Sequence, residues 1–251
     1  MKPNPFIEKP TQARQWLQVQ KTVANDSTPW VDVEGLREAF STWTWPLHLI
    51  DFETSAVAIP FTANRRPYEV TAFQFSHHVI TEDWQVEHVD EYLNAEIGKF
   101  PNFEFVRRLK VSLQNDEGSI FCYAAHENTV LNQIRVQLED AADEVSDGSE
   151  LIEWIKTITH DSKTNWEGHR NMVDLLELVK SHYFQLDMGG SNSIKKVLPA
   201  ILNSSSFLQD KYGQPGYNGF NFKNKMWVER DESGRVIDPY KLLPNVFSDI
   251  S

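Results

Sequence analysis

From Trp45 onward the chain takes on a strand-like hydropathy period, and three runs follow one another: LHLIDFE, VTAFQFSHHVI and WQVEHVDEYL, separated by turns that contain Pro and Asn. Three consecutive runs of this kind predict an antiparallel meander. A helical pattern follows over Phe103 to Leu113, where Phe103, Val106, Leu109 and Leu113 recur at i, i+3 and i+4 spacing before the turn residues Asn115 to Gly118. The apolar run SIFCYAA then reads as a strand, and ENTVLNQIRVQLED as an amphipathic helix with Val130, Leu131, Ile134 and Leu138 on one side. The order β-β-β-α-β-α restricts the fold to the α/β class, a mixed sheet with helices on its faces.

Outside this skeleton the pattern is weaker. Residues 1–44 read as an N-terminal arm with a leader helix around Ala13 to Val23, and residues 45–202 as the core. The acidic tract AADEVSDGSE reads as a solvated loop. Helices are predicted at Leu151 to Thr159 and Val173 to Phe184. The tract DMGGSNS breaks the chain before a short helix in SIKKVLPAIL, capped by Ser191 or Ser193. Residues 203–251 read as an irregular extension with one hairpin turning at Glu232 to Gly234.

Composition narrows the function classes. Of the 251 residues 40% are hydrophobic, enough for a packed core, and no apolar run reaches membrane-spanning length. The N-terminal MKPNPFIEKP has no signal-peptide pattern, so the expectation is a soluble cytoplasmic chain with no membrane partner. The single Cys122 lies in an apolar run and reads as a buried, inert thiol. A net charge of −12 argues against a surface that clamps nucleic acid all round. It leaves a nuclease open, because carboxylates that hold divalent metals make a stripped site acidic.

The strongest chemical signal is Asp51-Phe52-Glu53 at the end of the first strand. Residues i and i+2 of a strand share a face, so the two carboxylates enter one small space, a costly arrangement unless a cation lies between them. A plain reading is also open, with Asp51 capping a turn and Glu53 exposed. Glu127 falls near the start of the helix after SIFCYAA, where ligands of mixed sheets gather and where a carboxylate also suits the helix dipole. His126 reads as exposed or supporting rather than as a ligand. Asp174 begins the next helical pattern, as a third acid or as an N-cap. Lys195 and Lys196 follow a small-residue tract and could contact phosphate, and Arg65 and Arg66 form a second basic spot.

Taken in order, LIDFET, a two-strand meander, YAAHE before a helix and a later DLL resemble the DEDD (DnaQ-like) 3′→5′ exonucleases of the ribonuclease-H-like superfamily. More closely, DFETSAVAIPFTANRRPYEVTAFQFSHHV and GGSNSIKKVLPAI are similar to the signature stretches of a bacterial domain-of-unknown-function family placed in that superfamily. The resemblance implies a ribonuclease-H-like mixed sheet, a three-strand antiparallel meander plus parallel strands, flanked by helices.

It also implies that Asp51, Glu53 and Glu127 are catalytic and metal-binding, with Asp174 and His126 supporting and Lys195, Lys196, Arg65 and Arg66 on the substrate. The implied cofactor is a pair of Mg²⁺ or Mn²⁺ ions, and the implied substrate a nucleic acid with a single-stranded 3′ end. Relatives carry a final Asp on a last helix, and no such stretch follows Ile201. Asp238 and Asp249 are the late candidates, so the expectation is a chain that ends before its last catalytic acid and turns over weakly. A catalytically inactive nucleic-acid-binding or interaction module of the same fold is the alternative.

Overall fold

A computed structural model describes residues 10–215 and 219–244, which form two compact units. Ser41–Leu175 make one. Residues up to Phe40 join those from Leu176 on to make the other. The segment 176–202, grouped with the core in the sequence reading, thus belongs with the N-terminal residues.

The central unit is built on a five-stranded mixed sheet. Its strands are β1 (Leu47–Ser55), β2 (Thr71–Ile80), β3 (Val86–Leu93), β4 (Ile120–Cys122) and β5 (Val173–Asp174), in the spatial order β3-β2-β1-β4-β5. The first three pair antiparallel as the predicted meander, and β4 and β5 run parallel to β1. Three helices lie between strands in the sequence: α1 (Asn102–Leu113), α2 (His126–Asp140) and α3 (Gly148–Ile158). This mixed α/β architecture is compatible with a ribonuclease-H-like fold.

Alternation in β1 decides what the strand presents. Ile50 and Phe52 are buried while Asp51 and Glu53 are exposed, as the period of two requires. Phe52 meets Phe105 of α1 edge to face at 4.8 Å, and Phe105 meets Phe75 of β2 at 5.4 Å. Phe105, Val106, Leu109 and Leu113 of α1 are fully buried, as are Leu131, Ile134 and Leu138 of α2. Phe103, expected on the buried stripe, is only partly covered, and Phe105 takes the central place. Buried Asn102 stitches these layers, accepting from the Ala72 N–H at 2.8 Å and donating to Val70 O at 3.0 Å and Gln137 Oε1 at 2.7 Å.

A second polar group is buried at the start of β1. His48 and His77 face each other with Nδ1 and Nε2 2.9 Å apart, and His48 Nε2 lies 2.8 Å from Asp116 Oδ1. His77 Nδ1 lies 2.7 Å from Ser112 Oγ. With both rings neutral, one set of tautomers satisfies every nitrogen: Ser112 donates to His77, His77 to His48, and His48 to Asp116. Gly118 closes over this chain, since a Cβ there would lie 2.0 Å from the Pro46 carbonyl oxygen.

The other unit is joined across the sequence. Trp30–Val31 pair antiparallel with Tyr183–Phe184, and the guanidinium of Arg14, on the helix Pro10–Val23, donates to the carbonyls of Val179, Lys180 and Tyr183. The predicted leader helix and the SIKKVLPAIL helix (Ile194–Ser204) are present. Val33–Ser41, within the expected arm, and Ser206–Tyr212, within the extension expected to be irregular, are also helical. In the second, Ser205 supplies a cap, its Oγ accepting from the Leu208 N–H at 3.3 Å. The predicted turn at Glu232 to Gly234 is closed by a bridge between Arg230 and Val236. No helix among the described residues is long and apolar enough to cross a membrane.

Candidate functional site

The acids meet where β4 stops short of β1. The parallel pairing of β1 with β4 covers only His48 and Leu49, and the chain leaves β4 through Ala124, whose φ of 80° is unusual for a residue with a side chain. Asp174, at the end of β5, holds this turn by accepting the Ala124 N–H at 2.8 Å. The sequence reading placed Asp174 at a helix start. It lies in the last strand instead, paired with Cys122, and the helix begins after it at Leu175. Two residues beyond Ala124, α2 starts at His126 and turns Glu127 inward.

Glu127 is the unusual member. Only 2% of it is exposed, and its carboxylate receives the backbone N–H of Phe52, between Asp51 and Glu53, as well as its own. Its Oε2 is buried without any protein hydrogen-bond partner. Burial pushes its pKa up to about 7 against those N–H groups, and the charges of Asp51 and Asp174 push the same way. Asp51 is also raised, first by partial desolvation and then by Glu53, with His126 opposing. The His126 ring stands beside β1, Nε2 3.3 Å from Thr54 Oγ1. Cys122 is buried and free, its thiol pushed up by burial and by the charges of Glu127 and Asp174, so it is held as a neutral thiol.

Asp51, Glu127, Asp174 and His126 therefore share one neighbourhood, with Glu53 on the same face of β1 as Asp51. Among the described residues no group of three or more His, Cys, Asp or Glu is drawn together as a preformed metal cage. Arg65 and Arg66 lie on the β1–β2 loop: Arg65 stacks 3.6 Å over the Phe100 ring and pairs with Glu69, and Arg66 pairs with Asp140 at 3.4 Å. Lys195 and Lys196 are exposed on the helix Ile194–Ser204 of the other unit, Lys195 5.7 Å from the Tyr240 ring. Asp238 caps the short helix Pro239–Leu242 by accepting the Tyr240 N–H, and Asp249 lies outside the described residues.

A groove of about 620 Å³ runs along α2 from Asn128 and Thr129, which follow Glu127 in the sequence; none of the site's acids lines it. Its walls are the loop Arg66 to Val70 and the segment His160 to Lys163. Sequence reasoning did not single out Tyr68 or Lys163 in these walls. The RRPY tract, an aromatic beside two cations, was the signal that could have pointed to the first.

No curated protein and no solved structure matches the chain. A family model described as a domain of unknown function, DUF2779, matches residues 48–193, more than half of the sequence. That span contains every acid of the site, and the chain belongs to this family of uncharacterised domains.

Proposed function

We propose that the chain is a metal-dependent nuclease-type domain, a 3′→5′ exonuclease of the DEDD class that hydrolyses phosphodiester bonds in DNA or RNA. The observation that carries this reading is Glu127, a buried carboxylate with an orphaned oxygen beside two further carboxylates. Such a cluster destabilises a purely structural core and suits a hard cation, which favours carboxylate oxygens. Asp51, Glu53 and Glu127 would hold Mg²⁺ or Mn²⁺. When bound, ions of this kind supply Lewis acidity at a phosphoryl oxygen and water of lowered pKa. Asp174 keeps the Ala124 turn in place and so keeps Glu127 aimed at β1. His126, when protonated, offsets the negative charge at Asp51.

A second reading is a nucleic-acid-binding module of the same fold without turnover. The two are separated by incubating the 251-residue chain with 3′-labelled single-stranded DNA or RNA and Mn²⁺. Digestion that disappears in Asp51→Ala supports the nuclease. Strand binding with no digestion supports the module, and equal digestion by both proteins points to a contaminant.

A further inference from the structure

The groove along α2 has a construction that the acid site does not require. Tyr68 forms part of its wall with 71% of its surface exposed and a φ of 61°. A bulky residue in the left-handed region stores strain, and an exposed ring returns no packing for it. The loop is nevertheless braced. The Tyr68 N–H donates to Val57 O at 2.8 Å, the Arg66 N–H donates to Glu69 Oε2 at 2.8 Å, and the Arg65 guanidinium lies between Glu69 and the Phe100 ring. The backbone that carries Tyr68 is thus fixed, and its ring is presented to solvent.

The opposite wall is pinned as firmly. Asn128 accepts from the His160 N–H at 2.9 Å and donates to His160 O at 3.1 Å, and Asn132 donates to the same carbonyl at 3.0 Å. Charge in the groove is balanced: Arg66, Arg135 and Lys163 face Glu69, Asp140 and Asp161. A neutral groove cannot act as a clamp for a densely charged duplex, whose binding rests on counterion release. An exposed aromatic on a braced backbone, flanked by a few cations, suits unstacked bases.

We propose that this groove binds a short single strand of nucleic acid, with a base stacked on Tyr68 and Arg66 and Lys163 on the adjoining phosphates. The inference rests on the nuclease reading, which makes a strand held in this groove a substrate. Because the charges nearly cancel, few phosphates are neutralised and salt weakens binding only modestly.

The test is fluorescence anisotropy of end-labelled dT8 and rU8 with the full chain in EDTA, comparing wild type, Tyr68→Ala and Tyr68→Phe. Loss of one base stack weakens binding by about 5-fold or more, while Tyr68→Phe, which keeps the ring, stays within about 2-fold of wild type. Two phosphate contacts limit the loss between 50 and 200 mM salt to less than about 10-fold. Equal binding by Tyr68→Ala, no binding of either strand, or a blunt duplex bound as tightly as dT8 overturns the proposal. The nuclease reading fails separately: a Tyr68-dependent strand affinity without Asp51-dependent digestion removes the chemistry and leaves the groove. Asp51-dependent digestion with an unchanged KM in Tyr68→Ala removes the groove and leaves the chemistry.

Discussion

Strand β1 carries a polar cluster toward each end, and the two are built on opposite terms. Near its start, His48 and His77 are buried, yet each ring nitrogen has a partner in a chain from Ser112 to Asp116. Toward its other end Glu127 is buried just as deeply and keeps an oxygen with none. The same strand thus shows both outcomes open to a buried polar group: full satisfaction, which fixes a structure, and incomplete satisfaction, which leaves binding capacity. Burial alone would have ranked the histidines and the glutamate together.

The largest expected effect breaks the satisfied end. His77→Ala removes a fully buried side chain and leaves His48 Nδ1 without its partner, for a loss of about 3–4 kcal/mol in urea unfolding. A loss under about 1 kcal/mol would mean that the histidine chain is not a structural element.

Next in size is the pH dependence, in which the two ends oppose each other. Burial, then His48, lowers the pKa of His77 to about 4, so folding loses stability as pH falls from the unfolded value near 6.5 toward 4. His78, stacked on His88 and also lowered to about 4, acts in the same direction. The raised pKa of Glu127 has the reverse sign. Its penalty is absent below about 4.5 and grows as pH rises through about 7. Each limb is worth about 3 kcal/mol at most. In EDTA, measured against wild type at each pH, Glu127→Gln should therefore gain relative stability as pH rises from 4.5 to 7, and His77→Gln should lose relative stability as pH rises from 4 to 6.5. Two variants with the same pH profile as wild type would contradict the assignment.

Smaller effects sharpen the acid end. Asp51→Asn relieves repulsion against Glu53 and Glu127, so its melting temperature without metal should match or exceed that of wild type by a stability change within about 1 kcal/mol. A fall of several degrees would make Asp51 a structural acceptor instead. Smallest of all, Ala124→Gly should change stability by less than about 1 kcal/mol, because relief of the left-handed turn is offset by a more flexible unfolded chain.

Much of the sheet was legible because its signals are periodic and local. The alternation in LHLIDFE placed Asp51 and Glu53 on one face and Phe52 on the other, and the apolar stripe of ENTVLNQIRVQLED placed α2. Asp174 was misplaced because β5 is only two residues long, too short for any period, and the helix that follows it begins at once. The histidine chain and the groove were invisible for a different reason. The first joins residues 29 to 68 positions apart and the second joins segments from Arg66 to Lys163, and nothing in the local pattern records which distant side chains will meet.

The second unit is assembled from both ends of the described sequence, and this sets an order on events during synthesis. Trp30–Val31 have no strand to pair with until Tyr183–Phe184 have been made, and Arg14 has no carbonyls to bind until Val179 to Tyr183 follow. The whole of Ser41–Leu175 is translated in between. At ordinary elongation rates that takes roughly seven to thirty seconds, during which the first four strands of the sheet are made while the N-terminal segment waits. During that interval the nascent chain carries a partly built sheet and an unpaired strand, and a holdase would have its longest opportunity to bind at Trp30–Val31.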